Sequence, residues 1–92
     1  MLKITTVSQN EMIHFLLEGR LTASTMSVLE RCWREAQELL APMQIHVELM
    51  DVTYVDSVAK ALLRQMAASG VRFTANGIEM KAVVEEVTKE AI

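Results

Sequence analysis

Ninety-two residues, 51% of them hydrophobic, suffice for one domain around a single core without staples, so residues 1–92 are read as one domain that folds alone. A formal charge of −3 with scattered Lys and Arg excludes a nucleic-acid surface, and Phe15, Trp33, Tyr54 and Phe73 are too few aromatics for base stacking. The single cysteine excludes an internal disulfide, and apolar runs of about half a bilayer span, with no signal-type segment at the start, predict a cytoplasmic chain without membrane insertion.

Leu2 to Val7 alternates weakly and Met12 to Leu17 is a compact apolar run, with Ser8 to Glu11 as a polar connection, which predicts two antiparallel strands. Met26, Leu29, Cys32, Trp33, Ala36, Leu39 and Leu40 recur at helical spacing. Ser24 with Ser27, or Ser27 with Glu30, can start that helix, and Pro42 ends it. Trp33 and Cys32 lie on its apolar stripe and are expected to be buried, Cys32 as a small hydrophobe.

Ile45 to Met50 reads as a third strand, apolar enough for parallel pairing, followed by a loop from Asp51 to Asp56. Ser57 to Ser69 is a predicted helix with Val58, Leu62 and Met66 on one face, closed by Gly70. Val71 to Thr74 is the fourth strand, Asn76-Gly77 turns the chain, and Met80, Val83, Val84, Val87 and Ala91 mark a terminal amphipathic helix. The order ββαβαβα predicts an α/β fold: a small four-stranded mixed sheet with helices packed against it and right-handed crossovers.

The run Ile45 to Ser57, I-H-V-E-L-M-D-V-T-Y-V-D-S, is the most informative stretch. It places a hydroxyl beside a carboxylate where a helix begins, and unpaired amides and the macrodipole there would hold a phosphate. Asp and Ser are also the residues that any helix favours as caps. Partners of open α/β sheets gather outside the carboxyl ends of parallel strands, which is where Asp51 to Ser57 falls.

Catalysis is not expected. His14 and His46 sit mid-strand, on neighbouring strands in this reading, and share a sheet face with Glu48. Two histidines without a further ligand are ordinary polar positions of such a face, so no metal and no cofactor are expected. No Gly-rich loop follows a strand, Ser57 has no histidine base near it in sequence, and one cysteine makes no redox pair.

The third strand, the D-V-T-Y-V-D-S segment, the A-L-L-R-Q-M helix and the G-V-R-F-T strand resemble the STAS domain of bacterial anti-sigma factor antagonists. L-L-E-G-R-L-T, Leu16 to Thr22, is similar to that family's second strand and its turn into the first helix, so the likeness spans nearly the whole chain. The resemblance implies a STAS-like fold and places Ser57, directly after Asp56, at the family's phosphorylatable serine. Val58 and Ala59 stand where the family carries a small residue and then glycine, followed by Lys60, whose cation could pair with a phosphate or with Asp56.

By resemblance the chain is a non-enzymatic interaction module whose partner is an anti-sigma factor that doubles as a serine kinase. The expected contact surface comprises Asp51, Thr53, Tyr54, Asp56 and Ser57 of the loop, with Lys60, Arg64 and Gln65 on the exposed side of the following helix. The alternatives are a STAS subunit docked on the ATPase of a lipid-type transporter, and a small-ligand sensor.

Overall fold

The computed structural model describes residues 1–39 and 44–89. Strands β1 (Leu2–Gln9) and β2 (Met12–Leu21) precede helix α1 (Met26–Leu39); β3 (Gln44–Val55), α2 (Ser57–Ala68), β4 (Arg72–Thr74) and α3 (Ile78–Lys89) follow. The four strands lie in the order β1-β2-β3-β4, with β1 antiparallel to β2 and the other two pairings parallel. This is the mixed sheet and the ββαβαβα order expected from the periodicities. No helix of the described residues is long and apolar enough to cross a membrane.

Alternation puts Ile13, Phe15, Leu17 and Leu21 of β2 and Ile45, Val47 and Leu49 of β3 on one face, all buried. Leu29 and Ala36 of α1, Ala59, Leu62, Leu63 and Met66 of α2, and Met80, Val83 and Val87 of α3 join the same cluster. The helices therefore cover that face. The opposite face keeps His14, Leu16, His46 and Glu48 half-buried, and Glu18 and Met50 exposed. Such one-sided burial is what a half-solvated sheet shows.

The β1–β2 hairpin is tighter than expected: β1 runs on to Gln9, which pairs with Met12. Asn10 and Glu11 form a two-residue turn, both with positive φ (50° and 64°), as a type I′ connection demands. The end of α2 follows its sequence cue closely. Gly70 takes φ 97°, the Val71 amide donates to the Met66 carbonyl and the Gly70 amide to that of Ala67, and Met66 and Val71 are buried together. That is a Schellman closure with its apolar contact.

Other expectations shift. Neither Ser24 nor Ser27 caps α1; the turn before it is tied by Thr25, whose Oγ1 accepts from the Thr22 amide (2.9 Å) and donates to the Arg20 carbonyl (2.9 Å). Trp33 and Cys32 are half-buried rather than buried, packed against the margin of the core cluster. The indole Nε1 of Trp33 is out of solvent with no hydrogen-bond partner among the described residues, beside a cleft lined by Gln37, Gln44 and Ser69. Burial, reinforced by Glu35, holds the Cys32 thiol above its ordinary pKa, which disfavours the reactive thiolate. Leu40, Pro42 and Ala91 lie outside the described residues, so the predicted stop at Pro42 falls there too.

Candidate functional site

The largest departure concerns Asp51 to Val55. The segment is strand, not loop, and continues β3 alongside β2, where Glu18 faces Asp51, Gly19 faces Val52, Arg20 faces Tyr54 and Leu21 faces Val55. The register slips twice, between Leu16 and Glu18 and between Gly19 and Arg20, so β3 carries one extra residue at each step. Bulges of this kind break the two-residue alternation. Burial in this half recurs every third residue, at Leu49, Val52 and Val55, which is why the pattern reads as irregular in sequence.

Gly19 makes the bulged pairing possible. Its φ is 109°, the Arg20 amide donates to the Met1 carbonyl (3.1 Å), and a Cβ on Gly19 would collide with that Met1 carbonyl oxygen. Across the bulge Thr53 Oγ1 donates to the Gly19 carbonyl (3.2 Å), and the Arg20 guanidinium lies over the Tyr54 ring, 4.8 Å from its centre. Asp51, Thr53 and Tyr54 are all exposed.

Asp56 is the N-cap of α2. Its Oδ1 accepts from the Ala59 amide (2.8 Å), while Oδ2 accepts from the Ala23 amide (2.9 Å) in the turn between β2 and α1. These amides, that of Ala59 foremost, hold the carboxyl below its usual pKa, with the Val58 amide adding to them. Ser57 occupies the first helical position and is exposed. Val58 does not join the buried face; it is 48% exposed beside Ser57, and Ala59 fills the core position instead. Leu62 and Met66 are buried as expected, with Leu63 beside them, and only Val58 gives way to Ala59.

Lys60 and Arg64 are half-buried and turned toward α3. Lys60 Nζ lies 3.3 Å from one oxygen of Glu86 and Arg64 Nη2 2.8 Å from the other, so Lys60 pairs with Glu86 and not with Asp56. Glu86, Gly19, Arg20 and Ala23 therefore belong to this corner although the sequence reading did not assign them. The L-E-G-R-L-T segment was the available signal for Gly19 and Arg20; a carboxylate contributed by the terminal helix has no local mark in sequence.

A second polar group stands on the open face. His14 and His46 are register partners, their rings stacked with centroids 5.3 Å apart. His14 Nδ1 lies 3.3 Å from Glu48 Oε2, and His46 Nε2 lies 3.1 Å from Thr74 Oγ1. Burial first, then the neighbouring His14 and Arg72, lowers the His46 pKa against the opposing pull of Glu48.

No family model matches the chain, and no curated protein matches it by sequence. Solved structures do share its fold. The chain is similar to an uncharacterised protein of the DUF3478 family with a SpoIIAA-like fold from Shewanella loihica PV-4, at a TM-score of 0.64 and 11% identity, over 97% of this chain and 79% of that one. It is also similar to part of the protein Mglu, at a TM-score of 0.61 and 18% identity, over 82% of this chain but only 19% of the larger one. The chain thus spans about a fifth of Mglu. Identities this low establish architecture alone: the protein has a SpoIIAA-like, STAS-like fold.

Proposed function

We propose that this chain is a non-enzymatic regulatory module of the anti-sigma factor antagonist type, working in the cytoplasm, whose partner seats on the corner made by the bulged half of β3 and the first turn of α2. One observation carries the reading: Ser57 stands exposed at a helix start between Tyr54 and Val58, which are themselves 45% and 48% exposed. Apolar side chains left in solvent around a modifiable hydroxyl give a partner something to bury and a switch something to disturb.

A phosphate on Ser57 carries about −1.5 to −2 charges and would sit at the favourable end of the α2 dipole, so the fold tolerates it. At a protein interface the same charge, next to Asp56, repels an acidic partner and adds a desolvation cost. Val58 projects beside the hydroxyl and slows approach of a kinase, while Ala59, fully buried within the helix, takes the place of the family's glycine without disturbing the turn.

Affinity capture from the native cells, with Ser57→Ala and Ser57→Asp as paired baits, tests the reading. The expected result is a kinase-fold anti-sigma factor retained by Ser57→Ala and lost by Ser57→Asp, with equal melting temperatures for both baits. Mass spectrometry of the native protein then reads phosphate on Ser57 directly. Binding indifferent to Ser57→Asp removes this residue from the mechanism, and retention of a transporter ATPase instead replaces the reading with that of a transport-assembly subunit.

A further inference from the structure

We propose that the open face of the sheet carries a binding site for one late first-row divalent cation, with His14 and His46 as its protein ligands. The two residues oppose each other on adjacent parallel strands, their rings 5.3 Å apart between centroids and 28° from parallel. Both are half-buried on a face that no helix of the described residues covers, so an ion reaches them from solvent. The site is separate from the Ser57 corner and does not rest on the function proposed for it.

A chelating pair gains most when its side chains are already held, because ordering two free rotamers costs free energy at the moment of binding. The His46 ring is hydrogen-bonded at one nitrogen, and the His14 ring has a carboxylate beside one of its own. Glu48 Oε2 stands 3.3 Å from Nδ1 of His14, and Thr74 Oγ1 stands 3.1 Å from Nε2 of His46. The nitrogens left for a metal are Nε2 of His14 and Nδ1 of His46. A carboxylate or hydroxyl on the outer nitrogen is the device by which metal sites orient histidine ligands and select their tautomer.

The Glu48 contact lies off the hydrogen-bonding direction, since His14 Nδ1 is out of solvent without a formal hydrogen bond. The histidine χ2 torsion is soft, so the rings can turn until their free nitrogens converge on one ion. Among the described residues no group of three or more His, Cys, Asp or Glu side chains is placed to hold a metal. The protein therefore supplies two ligands and water completes the shell, as in an exchangeable site rather than a closed structural one. Imidazole donors select Zn²⁺, Ni²⁺ and Cu²⁺ over Mg²⁺, which prefers oxygen. Arg72, the register partner of His46 on β4, sets an opposing positive charge nearby and keeps the affinity moderate.

Calorimetric titration of the full chain with Zn²⁺, Ni²⁺ and Mg²⁺ at neutral pH is the test. One equivalent of Zn²⁺ or Ni²⁺ is expected to bind in the micromolar range and Mg²⁺ not at all. His14→Gln and His46→Gln should each weaken Zn²⁺ by about tenfold or more, Glu48→Gln by about tenfold through loss of the orienting carboxylate, and Cys32→Ser not at all. Ni²⁺ should also broaden the imidazole NMR signals of both histidines together, and circular dichroism confirms that each variant is folded. No saturable Zn²⁺ or Ni²⁺ binding up to about 1 mM, or undiminished binding by the folded His14→Gln/His46→Gln double variant, overturns the proposal.

Discussion

The two halves of β3 are built on different rules. From Ile45 to Leu49 the strand alternates strictly, pairs on both sides at His46 to Glu48, and puts Ile45, Val47 and Leu49 into the core. Beyond Glu48 it pairs with β2 alone, its register slips once before Asp51 and again between Val52 and Tyr54, and Met50, Asp51, Thr53 and Tyr54 are exposed. Regular pairing makes the first half a structural girder. The bulges free the second half to aim side chains outward, at the cost of a pattern that sequence periodicity recognises. The proposed contact surface lies where the ladder is imperfect.

If that division is correct, the largest stability loss comes from the regular half. Leu49→Ala removes a fully buried side chain and should cost about 2–5 kcal/mol in denaturant unfolding, with partner binding intact wherever the variant is folded. A loss below about 1 kcal/mol would mean that this half is not the girder.

Gly19→Ala attacks the bulged half through its backbone. A side chain at φ 109°, facing the Met1 carbonyl, should cost about 1–3 kcal/mol in the same measurement. Hydrogen exchange should show faster opening at Asp51 to Val55 than at Ile45 to Leu49 in this variant, because the slip in register has its pivot at Gly19.

Acid sharpens the comparison at the end of the strand. The Asp56 carboxyl titrates below its ordinary value when folded, so its contribution is complete above the unfolded carboxylate pKa of about 4 and is lost as pH falls toward the folded one. Asp56→Asn should therefore be less stable than the parent at neutral pH. The gap should narrow as thermal melts are taken below about pH 4; a gap independent of pH would show that the charge of the cap is idle.

The smallest stability effect belongs to Tyr54→Ala. Tyr54 is exposed and held by the Arg20 guanidinium, an interaction worth about 0.5–1 kcal/mol at such a site, so melting should hardly move. Partner binding should fall much further. If binding survives Tyr54→Ala, the irregular half of β3 is not the contact surface.

Much of this molecule was legible because local chemistry and tertiary need agree. Gly70 closes α2 and Asn76-Gly77 leads into α3 where the residue types say they should, and the alternation of β2 and early β3 sorts core from surface correctly. Legibility failed where a partner distant in sequence decides the outcome. Met50 to Val55 is a strand only because Glu18 to Leu21 lies beside it, and Lys60 faces α3 only because Glu86 is there. Val58 was misassigned for a subtler reason. Ala59 and Val58 are both apolar, so residue type alone does not say which of the two adjacent positions faces the core.

Asp56 also makes two distant turns answer to one another. A single carboxylate closes the start of α2 at Ala59 and fixes the β2–α1 turn at Ala23, so any event that draws it from one amide strains the other. Thermodynamic reciprocity then applies: whatever clamps the Thr22–Thr25 turn also favours an intact first turn around Ser57, and whatever loosens that first turn loosens the distant loop by the same free energy. A binder gripping only the outer loop would thereby set how readily the first turn of α2, and Ser57 with it, opens, without touching that turn itself.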